Sequence, residues 1–310
     1  MATVLIAGGT GLIGSRLTGL LIEKGYHVII LTRNKKEQHK NNVSNLSYAS
    51  WNPAKAVIDI AAVQEADYII NLAGAGIAEK RWTPKRKTVI AESRIKSGEL
   101  IVKALKENAN KVKAVINASA MGWYGDNSLL KTEAHAFTEN MPAAPGFLGE
   151  TCKAWEESIE PVTSIGKRLV KIRTSLVLSS KGGALREFGR PARFGIAALL
   201  GSGKQMQSWI HIDDICRIYI HAIENKQLHG AYNAAAPKPV DNRSLVTDLA
   251  KKMKGSFYIV VYVPAFILKW MLGEMSAELL KGITLDSDKI RATGFRFLFP
   301  SLEAALNDLV

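Results

Sequence analysis

Ile6-Ala7-Gly8-Gly9-Thr10-Gly11-Leu12-Ile13-Gly14 is the stretch that decides the fold of this 310-residue chain. It follows a short apolar run at 3–7, typical of a buried β-strand, and leads into a helical spacing of leucines that ends at Gly25. Gly8 is expected in a tight turn, Gly11 where a pyrophosphate approaches the backbone, and Gly14 where helix and sheet pack closely. Because free amides at a helix N-terminus favour phosphate, the stretch predicts a dinucleotide-binding loop.

Strands and helices alternate beyond this loop, which indicates an α/β fold with a parallel, doubly wound sheet of the Rossmann type. After the strand at 3–7, further strands are predicted at 27–32, 68–72, 114–118 and 170–174, with helices at 12–24, 85–108 and 148–159. The alternation fades after residue 175. Residues 241–310 are predicted to be mostly helical, with helices near 243–253, 265–281 and 301–309.

Two domains follow from this pattern. Residues 1–175 are predicted to form a dinucleotide-binding Rossmann domain, and segments later in the chain can return to it. Residues 176–310 are predicted to form a smaller, mostly helical substrate lobe that includes a C-terminal domain at about 241–310. A chain of 310 residues is long enough for two domains of ordinary size.

Composition excludes several protein classes. Only two cysteines are present, Cys152 and Cys216, which argues against a disulfide scaffold or a cysteine-rich zinc site and fits a reducing compartment. The N-terminal sequence shows no secretory signal. The most apolar stretch, 257–268, contains Pro264 and is too short to span a bilayer, so it is expected in the core or at an interface. We therefore expect a cytoplasmic protein with no membrane partner and no metal.

The net charge of +13 raises the question of an anionic partner. Residues 80–113 contain eleven Lys and Arg against three Glu. A nucleic-acid patch, a pocket for a phosphorylated small molecule and a solvated helix face all remain open. The helix face is favoured, and nucleic acid is disfavoured because no aromatic interleaving or nucleic-acid module accompanies the charges.

The end of the second strand distinguishes the two nicotinamide cofactors. An NAD site normally offers an acid there for the ribose hydroxyls, whereas this chain places Arg33 after Thr32 and has no acid before Glu37. Arg33 can bind a 2′-phosphate through its planar fork, so NADP(H) is the expected cofactor. Small residues after the third strand, Leu72-Ala73-Gly74, fit the edge of the same crevice, and Arg94 on the basic helix is expected to face the phosphates.

Several further motifs resemble those of the extended short-chain dehydrogenase/reductases, within the NAD-dependent epimerase/dehydratase superfamily. The resemblance covers the whole chain. Within the superfamily, the chain resembles the atypical branch known as epimerase family proteins. The motifs that carry it, with the glycine loop, are Asn71-Leu72-Ala73-Gly74-Ala75, Arg81-Trp82-Thr83, Ser93-Arg94-Ile95, Ser119-Ala120-Met121-Gly122-Trp123-Tyr124-Gly125, Cys152-Lys153-Ala154-Trp155-Glu156, Ser208-Trp209-Ile210-His211-Ile212-Asp213-Asp214 and the ending Gly294-Phe295-Arg296-Phe297 with Pro300.

The family's chemistry uses a Ser or Thr, a Tyr and a Lys four residues after the Tyr. This chain departs at all three positions, where it has Ala120, Leu148 and Cys152. Any activity must use other groups, and the candidates are Ser119, Tyr124, Cys152 and His211. Each also has a structural interpretation: Tyr124 as a loop aromatic, Cys152 as a small buried side chain, and His211 as a structural residue beside Asp213, the expected helix cap.

The resemblance implies a set of cofactor-binding residues: Gly8, Thr10, Gly11, Leu12, Ile13, Gly14, Thr32, Arg33, Leu72, Ala73, Gly74, Arg94, Ser119 and Val177. Gln205, Trp209 and Arg186 are substrate-side candidates. We expect an NADP(H)-dependent oxidoreductase, or a nucleotide-sugar-type epimerase or dehydratase, acting on a small polar substrate. An acidic substrate would suit the cations of the segment that contains Lys80, Arg81, Lys85, Arg86 and Lys87. The alternative is a non-catalytic NADP(H)-sensing protein. A homodimer is expected only as the commonest oligomer.

Overall fold

The main sheet of the molecule has eight strands among the described residues, all parallel except the last. The computed structural model describes residues 1–34, 44–130 and 135–310. The strand order is β13 (Gly230–Ala234), β7 (Arg168–Thr174), β6 (Ala114–Ala120), β5 (Tyr68–Asn71), β1 (Thr3–Ala7), β2 (His27–Thr32), β3 (Leu46–Asn52) and the antiparallel β4 (Val57–Ile58). This confirms the predicted Rossmann-type sheet.

Seven short strands of the described chain lie outside this sheet. They are β8 (Leu176–Ser179), β9 (Gly182–Gly183), β10 (Ile196–Leu200), β11 (Met206–Gln207), β12 (Trp209–His211), β14 (Val240–Asp241) and β15 (Ile259–Val263). They pair in small sheets: β12–β8–β9, β11–β14 and β10–β15.

Helices cover both faces of the sheet and make up much of the C-terminal part. They are α1 (Leu12–Glu23), α2 (Ile60–Glu65), α3 (Pro84–Glu107), α4 (Phe147–Ile159), α5 (Ala184–Ala192), α6 (Ile212–Glu224), α7 (Asn242–Lys254), α8 (Ala265–Leu272), α9 (Met275–Leu280), α10 (Asp288–Ala292) and α11 (Leu302–Leu309). None of the helices in the described part of the chain is long and apolar enough to cross a membrane.

Two apolar layers hold the helices on the sheet. Leu17 and Leu21 of α1 pack with α6 residues on one face of the strands. Ile101 and Leu105 of α3 pack on the other face, together with Ile159 at the end of α4. Both layers contain fully buried β-branched strand residues, which is the pattern of a parallel sheet covered on both sides.

The sequence predictions missed three strands of the main sheet, β3, β13 and the two-residue β4. β3 consists of Leu-Ser-Tyr-Ala-Ser-Trp-Asn and β13 of Gly-Ala-Tyr-Asn-Ala, so neither contains a β-branched residue that would mark it as a strand. β13 pairs with β7, so the chain re-enters the sheet after residue 175.

One prediction for the C-terminal part was wrong. The single helix expected at 265–281 is two helices, since Gly273 has φ +63° and interrupts it. The stretch 257–268 was expected in the core or at an interface. Phe257 is 87% exposed and Ile259, in the unpredicted strand β15, is 63% exposed, so these two residues are not in the core and the interface stays a prediction.

Candidate functional site

The glycine loop joins β1 to α1 in a backbone path that leaves no room for side chains. Gly8 has φ +83°, and a Cβ there would lie 2.8 Å from the carbonyl carbon of Leu72. A Cβ on Gly14 would lie 2.3 Å from the Gly8 oxygen. Gly11 caps α1 without a side-chain hydrogen bond, and the first turn of that helix has no acidic residue. The loop therefore presents open amides and a positive helix end, which fits a dinucleotide pyrophosphate.

A cavity of about 620 Å³ opens beside this loop, at the carboxyl ends of β1, β2, β3 and β5. It contains eight of the predicted cofactor residues: Gly8, Thr10, Gly11, Thr32, Arg33, Leu72, Ala73 and Gly74. Arg33 and Asn34 are exposed at its rim. Glu37, the first acid after the second strand, lies outside the described residues.

The cavity also has lining residues that the sequence reasoning missed. They are Leu31, Asn34, Trp51, Asn52, Pro53, Ala54, Ala75, Val89, Glu92, Ser93 and Lys96. Four of these follow from β3, whose carboxyl end brings Trp51 to Ala54 beside Arg33. The Asn52-Pro53 pair, a typical end of a strand, was the available signal.

A buried amide pair holds the turn after β5. Asn71 Nδ2 donates hydrogen bonds to Asn117 Oδ1 at 2.7 Å and to Ser97 Oγ at 3.1 Å. The Asn71 side-chain oxygen, Oδ1, accepts a hydrogen bond from the Ala73 backbone N–H at 3.2 Å. Asn71 therefore fixes the cavity wall at Leu72 to Gly74 against α3 and β6.

The remaining predicted cofactor residues do not line this cavity. Leu12 and Ile13 pack partly on the core at the start of α1. Val177 lies in β8, paired with Ile210. Arg94 is 8% exposed and lies behind the cavity wall, where its guanidinium packs on Gly74, donates to the Ala75 oxygen and contacts the Trp155 ring.

Ser119 belongs to a buried charged network between β6, α4 and β7. Its Oγ donates to Glu156 Oε1 at 2.7 Å. Arg173 donates to both oxygens of the same carboxylate, from Nε at 2.8 Å and from Nη2 at 3.0 Å. The Arg173 guanidinium also lies 3.7 Å from the Trp123 ring centre. The Ser119 hydroxyl is therefore already engaged.

Tyr124 is locked in the same network. It is 1% exposed, donates its hydroxyl hydrogen to Asn233 Oδ1 at 2.7 Å and accepts from Arg173 Nη1 at 2.9 Å. Burial raises its pKa to about 12, against the lowering effect of Arg173. This phenol is protonated at neutral pH and has no open face toward the cavity.

Ala120, Leu148 and Cys152, the residues that the resemblance placed at the family's Ser/Thr, Tyr and Lys positions, lie together. Leu148 packs on Gly122, where a Cβ would be 3.1 Å from that of Leu148. Cys152 lies with its Sγ 3.8 Å from the Ala120 oxygen. Burial raises the pKa of the Cys152 thiol to about 12, so it is neutral at physiological pH. None of these three side chains is suited to proton transfer.

His211 caps α6. Its Nδ1 accepts a hydrogen bond from the Asp213 amide at 3.1 Å, its ring lies 3.8 Å from that of Phe299, and burial lowers its pKa. The prediction that Asp213 is the cap was wrong, because that carboxylate forms a two-point ion pair with Arg16 at 2.7 and 2.8 Å. His211 is 1% exposed, which suits a structural residue.

The three substrate-side candidates do not lie together at one site. Trp209 is fully buried and donates from Nε1 to the Lys238 oxygen at 3.0 Å. Gln205 is buried and donates to the Leu200 oxygen at 3.0 Å. Arg186 is exposed on α5.

Charge in the basic segment 80–113 is partly neutralised. Five of its eleven cations form ion pairs: Arg86 with Glu79, Lys87 with Glu274, Lys96 with Glu92, and Lys111 and Lys113 with Asp67. Lys96 and Glu92 stand at the wall of the cavity. The pairs reduce the charge that this segment offers to a partner.

Comparisons with known proteins agree with the motifs. Residues 4–146 match the NAD dependent epimerase/dehydratase family, and residues 263–309 match a domain of unknown function, DUF1731. The chain is 35% identical, over 100% of its length and 99% of the relative, to an epimerase family protein of Staphylococcus haemolyticus (strain JCSC1435).

Two solved structures resemble this chain over nearly its full length. Human epimerase family protein SDR39U1 (isoform2), solved with NADPH, has a TM-score of 0.84 and 27% identity, over 99% of this chain and 98% of that one. The UDP-glucose 4-epimerase of Thermus thermophilus, solved with NAD, has a TM-score of 0.75 over 99% and 98% of the chains. At 18% identity it supports the fold alone. The resemblance inferred from the motifs is confirmed.

Proposed function

The chain belongs to the epimerase family proteins of the NAD-dependent epimerase/dehydratase family, and from that premise we propose that it is an NADP(H)-dependent oxidoreductase. The cavity beside the glycine loop carries this proposal. It combines an open helix N-terminus with Arg33 at the end of β2, where an NAD site would place an acid. The human relative solved with NADPH supports the same cofactor.

Different residues around the cavity would bind different parts of the cofactor. The amides at the start of α1 would hold the pyrophosphate, and the Leu72–Gly74 turn would border the adenosine half. Arg33 at the rim would bind the 2′-phosphate through its guanidinium. When bound, the nicotinamide supplies hydride transfer to or from a carbonyl or alcohol.

Proton transfer must come from outside positions 120, 148 and 152. Leu148 has no proton to give, and the Cys152 thiol has a pKa of about 12 and no fixed charge. These observations favour a second candidate function, a protein that senses NADP(H) without turning over a substrate. The register that puts Leu148 and Cys152 at the family's Tyr and Lys positions would also separate this chain from epimerases and dehydratases that use that pair.

The first experiment is titration of the purified protein with NADPH and NADH, followed by nicotinamide fluorescence and thermal stability together. We expect strong NADPH binding, weak NADH binding and a rise in Tm with the bound cofactor. Absence of binding by both nucleotides would overturn the cofactor proposal.

A turnover assay separates the two functions. The NADPH- and NADP-loaded protein is mixed with a library of carbonyls and alcohols, and absorbance of the reduced nicotinamide is followed. Substrate-dependent oxidation or reduction supports the oxidoreductase. A conformational change on NADPH binding with no hydride transfer supports the sensor. Both cysteines are buried and free, and we propose a reducing, cytoplasmic location.

A further inference from the structure

Arg94 is a buried cation whose charge is not neutralised. It is 8% exposed, and its Nη1 donates to the Ala75 and Ile90 carbonyl oxygens at 3.0 and 2.9 Å. In residues 1–34, 44–130 and 135–310, no carboxylate lies within ion-pair distance of it, and Nε and Nη2 make no hydrogen bond. An uncompensated buried charge is costly to folding, so its retention calls for a ligand.

The Arg94 guanidinium lies behind the wall of the dinucleotide cavity, where a Cβ on Gly74 would be 3.1 Å from its central carbon. The α3 residues that line that cavity are Val89, Glu92, Ser93 and Lys96. Arg94 follows Ser93 by one residue, which rotates it by about 100° around the helix. It therefore faces α4, with its guanidinium 5.1 Å from the Trp155 ring centre.

Arg86 adds a second cation on the same face. Arg86, Ile90 and Arg94 are spaced four residues apart, so they lie on one face of α3. Arg86 Nη2 donates to the Gly76 carbonyl and to Glu79 at 3.0 Å, but Nε is buried without a partner among the described residues. The Glu79 side chain is 66% exposed, so it screens Arg86 only in part. The two guanidinium groups are close enough for Arg86 to oppose the charge of Arg94.

The α4 helix offers no carboxylate within ion-pair distance of Arg94 in the described chain. Cys152 is the α4 group that acts on the charge of Arg94, and burial keeps its thiol neutral despite the arginine. Ile90, one turn before Arg94, packs in an apolar cluster with Trp82, Phe147 and Leu148. Trp82 and Phe147 meet edge to face, with ring centres 5.0 Å apart.

We propose that Arg94, supported by Arg86, forms a subsite for the oxyanion of the substrate, a carboxylate or a phosphate. This inference rests on the proposed oxidoreductase function and names the class of substrate as a small acidic molecule. The Nε and Nη2 edge of Arg94 forms a planar fork that matches two oxygens of such a group. The apolar cluster of Trp82, Phe147 and Leu148 would contact the rest of the molecule.

Thermal unfolding of the full-length protein tests the subsite with orthophosphate and oxalate as probes. Chloride at the same ionic strength is the reference, and each series is run with and without NADPH. We expect a saturable rise in Tm with either probe, retained when NADPH is bound. Arg94→Met should weaken the probe affinity by about tenfold or more, the effect of one charge-assisted hydrogen bond, while NADPH affinity stays unchanged.

Two further variants control this result. Arg94→Lys should keep part of the probe affinity because it keeps the charge. Lys96→Met, on the same helix but facing the dinucleotide cavity, should leave probe binding intact. In chloride, Arg94→Met should unfold at no lower a temperature than the wild type, since it removes an uncompensated charge.

Three results would overturn the subsite. One is unchanged probe affinity in Arg94→Met. Another is a loss of NADPH affinity in Arg94→Met as large as its loss of probe affinity, which would assign Arg94 to the dinucleotide. The third is a lower Tm of Arg94→Met in chloride with no probe effect in the wild type. A protein that binds the probes through Arg94 but no NADPH would instead overturn the proposed function and leave the subsite standing.

Discussion

Arg173 and Glu156 form a two-point ion pair in which each side chain is only 4% exposed. The pair joins β7 to α4 and holds the Ser119 hydroxyl on one side and the Tyr124 hydroxyl on the other. Its buried charges are mutually compensated, in contrast to Arg94. The network thus stabilises the wall behind the site and leaves little freedom for its hydroxyl groups to act in catalysis.

Glu156→Gln should lower the free energy of unfolding by about 3–5 kcal/mol, because it leaves the Arg173 guanidinium buried without its counter-charge. Urea-induced unfolding measures the change. The neighbouring Glu157→Gln is the matched control, since the ion pair that Glu157 forms among the described residues is an exposed one, with Lys153 at 3.8 Å. That variant should lose about 0–1 kcal/mol. Equal effects of the two variants would contradict a stabilising role for the buried pair.

Tyr124→Phe tests whether this phenol is structural. The variant removes a donor to Asn233 and an acceptor from Arg173, so stability should fall by about 1–3 kcal/mol. NADPH affinity, measured by fluorescence titration, should be unchanged because Tyr124 does not line the cavity. Loss of turnover on a substrate found in the library, with stability intact, would instead make Tyr124 catalytic.

The local pattern of the sequence was sufficient for the Rossmann sheet but insufficient for this network. Strand-like runs and the glycine loop report on neighbours in the chain, and both predicted the dinucleotide end correctly in outline. Tyr124 and Asn233 are 109 residues apart and meet only because β13 returns to pair with β7. No spacing rule connects them. The missed strand β3 had the same effect on Trp51 and Asn52, whose place beside Arg33 depends on a strand that the apolar pattern did not show.

Burial of Cys152 predicts a pH dependence of stability in the alkaline range. Its pKa rises from the ordinary value of 9.0 to about 12 in the folded protein. As the pH rises through 9, the unfolded chain loses the thiol proton while the folded chain keeps it, so stability is lost progressively up to about 12. In Cys152→Ala, the fall in free energy of unfolding between neutral pH and about pH 11 should therefore be smaller.

Thr151→Ala is the control for this prediction. Thr151 is buried beside Cys152 and does not ionise in this range, so its variant should lose the same stability at every pH. Urea-induced unfolding at a series of pH values gives the comparison. A pH dependence of Cys152→Ala identical to that of the wild type would mean that the thiol titrates alike in the folded and unfolded chains.

Arg33→Asp tests the assignment of the 2′-phosphate. Replacing the guanidinium by a carboxylate should weaken NADPH binding by about 2–3 kcal/mol, the scale of a hydrogen bond to a charged group. NADH, which lacks the phosphate, should be affected less. Lys226→Asp makes the same charge reversal at an exposed residue that does not line the cavity, and should change neither affinity. Equal losses for both nucleotides in Arg33→Asp would remove the assignment.

Two glycines of α1 allow a test of the loop within one helix. A Cβ on Gly14 would lie 2.3 Å from the Gly8 oxygen, whereas a Cβ on Gly19 meets nothing within 4 Å. Gly14→Ala should therefore force the loop and helix apart, lower stability by about 1–3 kcal/mol and weaken NADPH binding. Gly19→Ala should raise stability by about 0.5–1 kcal/mol, since alanine is the better helix residue, and leave binding unchanged. Thermal unfolding measures the stability of both variants, and fluorescence titration measures their NADPH affinity. Wild-type NADPH affinity in Gly14→Ala would show that the close contact of Gly14 with Gly8 is not needed to present the amides of the loop.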